Sequence, residues 1–120
     1  MKQRGRLVPL LLAMALLLSA CGGAGEQTQL EKTAAYLTET VAEPQNASIG
    51  GEWAVIGVAR SGAKAPSGWF EGYYRRLCEA VREKEGVLDP RKNTEYSRAI
   101  LALTAIGRDP RSVEGYDLTL

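Results

Sequence analysis

The sequence predicts an all-α fold that follows an N-terminal export signal. Apolar residues recur at helical spacing in four segments between residues 28 and 107. Three of these segments stop at a glycine, namely Gly62, Gly86 and Gly107, which is a common way for a helix to end. Alternating apolar and polar hairpins are absent from the sequence. The Val and Ile of the second and fourth segments also suit strands, but the alanines and the glycine endings favour helices.

The first twenty residues have the layout of an export signal. Three basic residues are followed by an apolar run over residues 7–18, and the small residues Ser19 and Ala20 precede Cys21. The run is shorter than the roughly 20 residues that a membrane-spanning helix needs. An uncleaved anchor with an incidental cysteine is the alternative interpretation.

The quartet Leu-Ser-Ala-Cys at residues 18–21 resembles the lipobox of bacterial lipoproteins. The resemblance implies cleavage between Ala20 and Cys21, a diacylglyceryl group on the Cys21 thiol, and an acylated new N-terminus. Residues 21–27, rich in glycine, then form a flexible tether. Multiple acyl chains make a stable anchor. We therefore expect an exported protein, held by its lipid at the outer face of the bacterial cytoplasmic membrane.

Charge and composition exclude several function classes for the remaining chain. Without residues 1–20 it has 12 basic and 14 acidic residues, a formal charge of −2, which argues against nucleic-acid binding. It has no histidine, so histidine-based catalysis and histidine metal ligands are excluded. If Cys21 carries lipid, Cys78 has no cysteine partner and the fold rests on packing alone.

The first two helical segments differ in pattern. Residues 28–42 begin with Thr28 and Glu31 spaced as a capping box and carry apolar residues at helical spacing. The second segment is apolar on every side from Trp53 to Ala59, which predicts burial all round, and Gly62 ends it.

The third and fourth segments repeat this contrast. The third carries one apolar stripe opposite a charged face, so it is an amphipathic helix. Its stripe consists of Trp69, Phe70, Tyr73, Tyr74, Leu77, Cys78 and Val81. The fourth, at about residues 95–106, is again apolar nearly all round.

The alternation of amphipathic and apolar segments indicates two helical hairpins, at about residues 28–62 and 67–107. Residues 53–62 overlay on residues 98–107 with an offset of 45, a period typical of stacked helical hairpins. The overlay predicts equivalent, buried positions for Ile56 and Leu101.

The stretches "GGEWAVIGVARSG", "GWFEGYYRRL" and "TEYSRAILALTAIGRDP", with the later "GYDL", resemble the α/α-toroid superfamily of terpenoid cyclases and protein prenyltransferases. The resemblance covers roughly residues 30–120 and is closest to exported bacterial members with prenyltransferase/squalene-oxidase-type repeats. It implies an inner barrel of apolar helices, an outer ring of amphipathic helices, and a further outer helix starting near Tyr116 that the chain does not contain. Residues 28–120 would then be the N-terminal part of an incomplete toroid.

The catalytic equipment of that superfamily does not carry over. Its zinc site needs a histidine, and its squalene-type cyclases use an Asp-x-Asp-Asp cluster that this sequence lacks. We assign no catalytic residue, cofactor or metal. Ser61 and Lys64 match a Ser-x-x-Lys pattern that chance explains best, and Cys78 fits a small buried hydrophobe.

The aromatic residues Trp69, Phe70, Tyr73 and Tyr74 have two interpretations. They could form a ligand-facing stacking surface, but their helical spacing favours core packing. We expect a non-catalytic binding module whose partner is a small molecule, a glycan or a protein. The alternatives are an N-terminal fragment of a toroid enzyme with catalytic residues beyond residue 120, and a truncated reading frame. The two apolar helices also predict that residues 21–120 expose apolar surface and self-associate.

Overall fold

The computed structural model describes residues 27–120, and over this range the chain is all-helical, as predicted. The four helices are α1 (Gln29–Thr40), α2 (Gly51–Ser61), α3 (Trp69–Glu83) and α4 (Thr94–Ala105). Residues 27–120 contain no strand, and their one β-bridge is an isolated pair between Val113 and Tyr116. The closest backbone packing joins α2 to α4 and α1 to α2.

The predicted capping box is present at the start of α1. The hydroxyl of Thr28 accepts a hydrogen bond from the backbone N–H of Glu31 at 3.2 Å. The Glu31 carboxylate in turn accepts from the backbone N–H of Thr28 at 2.7 Å. Two amides that the first helical turn leaves without partners are thereby satisfied.

Left-handed residues end three of the helices. Gly62 has φ 71° after α2, and Gly107 has φ 76° after α4. At the end of α3 the left-handed conformation starts one residue before the predicted glycine, with Glu85 at φ 50° and Gly86 at φ 82°. The amide of Gly86 donates to the carbonyl oxygen of Val81 at 2.8 Å, which closes the helix in the manner of a Schellman motif.

The core is one cluster of buried residues, most of them from α2, α3 and α4. The stripe predicted for α3 is confirmed at five positions, which are buried, while Phe70 and Tyr74 are half-buried. Small and branched residues of α2 and α4 are buried at positions that match in the overlay of the two segments. Ala54 pairs in the overlay with Ala99, and Val58 with Leu103, and all four are at most 4% exposed.

The prediction that α2 and α4 are buried all round is wrong. Trp53 is 56% exposed and Leu101 is 51% exposed, and Ile56 is half-buried. Ile56 and Leu101 are therefore not equivalent. The reason is geometric: α2 packs closely against α1 and α4, and within residues 27–120 no further helix packs closely enough to cover the exposed side chain of Trp53.

Residues 113–116 form a tight turn. Val113 and Tyr116 exchange two backbone hydrogen bonds of 3.0 and 2.9 Å. The two residues between them, Glu114 and Gly115, both have positive φ, as in a type I′ turn. Val113 and Leu118 are 0% and 2% exposed and belong to the core. We call residues 108–118 the tail loop.

Candidate functional site

The predicted lipidation and cleavage at Cys21 concern residues outside the range that the structure describes, and so does the signal at residues 1–20. None of the helices within residues 27–120 is long and apolar enough to span a membrane. The anchor stays a prediction from the sequence.

The aromatic residues of α3 contribute mainly to packing. Trp69 is 5% exposed and Tyr73 is fully buried. The Trp69 indole N–H donates to the carbonyl oxygen of Val41 at 2.9 Å, and its ring meets Phe70 edge-on with 5.2 Å between the ring centroids. The half-buried ring of Tyr74 is covered by the guanidinium of Arg108, 4.2 Å from its centroid. Two of the four rings therefore lie inside the core, and two keep partial access to solvent.

The remaining sequence candidates have no free reactive group. Cys78 is buried, as predicted, and burial raises the pKa of its thiol, which disfavours the nucleophilic thiolate. The Ser61 hydroxyl donates to the carbonyl oxygen of Val58 at 2.7 Å and accepts from the amide of Ala63 at 3.1 Å. Ser61 thus secures the end of α2. Within residues 27–120 no three His, Cys, Asp or Glu side chains gather closely enough to hold a metal ion.

An apolar groove lies between α1 and α2, and it was not predicted from the sequence. It has a volume of about 220 Å³. Its walls are Leu30, Thr33, Ala34 and Leu37 on α1 and Gly57, Val58 and Ser61 on α2. We call it the α1–α2 groove.

Both hydroxyl groups that line the α1–α2 groove are already satisfied within their own helices. The Thr33 hydroxyl donates to the carbonyl oxygen of Gln29 at 2.8 Å, and Ser61 donates to Val58 as described. The groove therefore presents methyl and methylene groups to an occupant and offers no hydroxyl donor. Such a surface selects apolar groups, since a polar group placed there loses its hydrogen bonds to water.

Gly57 opens the α2 side of the groove. A Cβ built on Gly57 would meet nothing within 4 Å, so the missing side chain leaves open space above the helix. The exposed ring of Trp53 stands one helical turn earlier on the same side of α2. A glycine in the middle of an apolar helical segment, where it weakens the helix, is the sequence signal that marks this groove.

A larger depression lies between the α3–α4 connection and residues 118–120. Its volume is about 450 Å³, and Asp89, Tyr96 and Leu118 are among its mixed polar and apolar walls. The Asp89 carboxylate accepts from the amides of Arg91 and Lys92, and the Tyr96 hydroxyl accepts from the amide of Leu88. These polar groups stabilise the local loop, so the depression offers no convergent set of free polar groups.

A buried polar cluster occupies the core between α2, α3 and α4. Glu52 is 1% exposed, although glutamate side chains usually lie at the protein surface. One of its oxygens accepts from the amide of Ala47 at 2.8 Å. Burial raises the pKa of Glu52. Arg98 lies in the same region, and its guanidinium forms a 2.6 Å ion pair with Glu95, in which both side chains are less than 20% exposed.

Comparison with protein-family models, with curated protein sequences and with solved structures finds no match for this chain.

Proposed function

We propose that the chain is an exported bacterial lipoprotein, anchored through Cys21, whose helical domain binds a small apolar group without catalysis. The observation that supports the binding role is the α1–α2 groove, with its satisfied hydroxyl groups and the open space over Gly57. The anchor rests on the lipobox-like residues 18–21.

The chemistry of the groove favours an apolar ligand over a glycan. A sugar presents several hydroxyl groups that each need a partner, and burying them against Leu30, Leu37 and Val58 leaves them unsatisfied. The volume of about 220 Å³ exceeds the roughly 150 Å³ of an apolar cavity that holds benzene. A small aromatic or aliphatic group therefore fits, and Trp53 adds an exposed ring beside it.

The architecture we propose for this module is the first part of an α/α toroid. The support is the packing of α2 against α4 with matching buried positions at Ala54/Ala99 and Val58/Leu103. In a toroid these two helices would be neighbours in the inner barrel. The exposed Trp53 and Leu101 would then lie on a surface that inner-barrel neighbours cover.

A dye titration tests the binding role. Residues 22–120, once circular dichroism has established their helices, would be titrated with 1-anilinonaphthalene-8-sulfonate. Gly57→Leu places a side chain in the open space of the groove, and we expect dye affinity to fall about tenfold, equivalent to about 1.4 kcal/mol. Glu39→Leu, which adds the same side chain to α1 outside the groove, is the control and should leave the affinity unchanged. Equal affinities for Gly57→Leu and the unmodified chain would exclude the groove as the binding surface.

Metabolic labelling tests the anchor separately. Cells producing the full chain would be grown with a radiolabelled fatty acid. We expect the protein to carry label and to sediment with the membrane, and Cys21→Ala to carry none. Cys78→Ala is the control, because it removes the other cysteine and should keep the label. An unlabelled wild-type protein would refute lipidation.

A further inference from the structure

Three polar atoms in the core have no hydrogen-bond partner among residues 27–120. They are Oε2 of Glu52, the hydroxyl oxygen of Tyr73 and Nε of Arg98. Glu52 is 1% exposed and Tyr73 is 0% exposed. Buried polar groups in folded proteins almost always have a partner, so three orphaned atoms in one core require an explanation.

The three side chains come from three different helices and act on one another electrostatically. Glu52 lies in the first turn of α2, and Tyr73 and Arg98 lie in the second turns of α3 and α4. Burial is the main cause that raises the pKa of the Tyr73 hydroxyl, and the charge of Glu52 raises this pKa further. The charge of Arg98 lowers it. The charge of Arg98 also lowers the pKa of Glu52, against the dominant effect of burial. The burial of the three unpartnered atoms and these electrostatic effects together place the three groups in the same part of the core.

In both Glu52 and Arg98, one polar side-chain atom makes a hydrogen bond, and another has no hydrogen-bond partner among residues 27–120. Oε1 of Glu52 accepts from the amide of Ala47, which leaves Oε2. A terminal nitrogen of Arg98 donates to Glu95, which leaves Nε. These outer contacts fix the orientation of both side chains. The remaining atoms are an acceptor on Glu52, a donor on Arg98 and a hydroxyl on Tyr73 that can do either.

We propose that Glu52, Tyr73 and Arg98 together bind a single enclosed water molecule. Water donates one hydrogen to Glu52 Oε2 and accepts one from Arg98 Nε–H. Its second hydrogen or its second lone pair forms a hydrogen bond with the Tyr73 hydroxyl. Enclosed waters in proteins typically make about three such bonds to polar groups that lack other partners, which is the number available at this site.

A direct hydrogen bond from Tyr73 to Glu52 is the competing arrangement. It would satisfy those two residues and leave Arg98 Nε without a partner, whereas one water would satisfy all three atoms. The water would also join α2, α3 and α4 at one point. The network would also reach the α1–α2 connection, because the amide of Ala47 in this connection donates to Glu52. The same connection contacts α3, since the carbonyl oxygen of Pro44 accepts a hydrogen bond from Arg76 at 2.9 Å.

A crystal structure of the full chain, at a resolution that shows ordered water, tests the proposal directly. We expect one enclosed water within hydrogen-bond distance of all three atoms. A Tyr73 hydroxyl bonded directly to Glu52 with no water between them would overturn the proposal, as would a dry contact among the three side chains.

A double-mutant cycle in the full chain provides a second test. Tyr73→Phe removes only the hydroxyl, and we expect the Tm to fall by about 4–8 °C, the shift that loss of one buried hydrogen bond causes in a domain of this size. Tyr74→Phe, which removes the hydroxyl of the neighbouring half-buried tyrosine, is the control and should change the Tm by less.

Arg98→Met removes Nε, and its effect should be smaller in the Tyr73→Phe background, because the two atoms share the water. Additive effects of Tyr73→Phe and Arg98→Met would overturn the shared site.

Discussion

The ring of Tyr116 lies against the α-carbon of Gly86, in the space that a side chain on residue 86 would occupy. Gly86 ends α3, and Tyr116 closes the tight turn of the tail loop. Gly86 is therefore constrained twice, by its φ of 82° and by the aromatic ring above it. The end of α3 and the tail loop depend on the same glycine.

Gly86→Ala should destabilise the domain by about 2–5 kcal/mol. A left-handed alanine costs about 1–2 kcal/mol, and displacing the Tyr116 ring adds an overpacking cost of about 1–3 kcal/mol. Urea unfolding measures the loss. Gly62→Ala is the matched control, because Gly62 has φ 71° but open space around the added Cβ, so only the conformational cost remains. Equal losses for the two variants would show that the ring does not constrain residue 86.

Gly57→Ala should stabilise the domain by up to about 1 kcal/mol. Gly57 lies inside α2 with nothing within 4 Å of an added Cβ, so the helix gains the higher propensity of alanine without a clash. Thermal unfolding measures the change. Gly72→Ala in α3 is the comparison, because its Cβ would come within 3.3 Å of the Arg76 guanidinium, and we expect a smaller gain there. A destabilising Gly57→Ala would contradict the open groove.

Leu103→Ala and Leu101→Ala should differ sharply although the two leucines are close neighbours in α4. Leu103 is fully buried, and its truncation should cost about 2–5 kcal/mol. Leu101 is 51% exposed, and its truncation should cost less than about 1 kcal/mol. Urea unfolding of both variants measures the contrast. A cost for Leu101→Ala as large as that for Leu103→Ala would show that another surface covers this side of α4.

Glu52→Gln should remove one component of the pH dependence of stability. Burial raises the pKa of Glu52 above its ordinary value of 4.5, so the folded state holds this proton more tightly than the unfolded state does. As the pH rises from about 4.5 through the raised pKa, the unfolded chain releases the proton first, and the stability that the protonated carboxyl provides is lost.

The measurement is urea unfolding of both proteins between pH 4 and pH 8. We expect the Gln variant to gain stability relative to the wild type across the window above about pH 4.5. The carboxylates of Asp89, Asp109 and Asp117 have lowered pKa values, so their contribution is lost only at more acidic pH and is the same in both proteins. A constant difference between the two proteins across the range would contradict the raised pKa of Glu52.

The helices could be predicted from the sequence because their signals are local. The capping box at Thr28 and the stripe on α3 each depend on residues within a few turns, and both are present in the structure. The exposure of Trp53 and Leu101 could not be predicted in this way, because an all-apolar helix does not reveal which of its sides a neighbour covers. The type of the turn at residues 113–116 could not be predicted, because it requires a positive φ at Glu114, which the sequence alone does not indicate.

The candidate sites depended even more on tertiary packing. The α1–α2 groove exists because Leu30 and Leu37 face Gly57 across the hairpin, a juxtaposition that no spacing rule gives. The buried cluster joins Glu52, Tyr73 and Arg98 from three helices. In the sequence Tyr73 belongs to the apolar stripe of α3, whereas Glu52 and Arg98 look like ordinary boundary or surface residues. An acidic residue immediately before an apolar run, as Glu52 is, was the available signal.

The tail loop also has a consequence for the order in which the chain folds. Hairpin α1–α2 joins segments that are adjacent in sequence, so its loop closes at little entropic cost. The ion pair between Arg82 and Glu114, with 3.0 Å between its nitrogen and oxygen, joins residues 32 apart, and Val113 and Leu118 reach the core through the same loop. Contacts between distant residues form later than local ones. We expect the α1–α2 hairpin to form early, and the α2–α4 contact, between segments offset by 45 residues, and the docking of the tail loop to follow as the later steps that close the core.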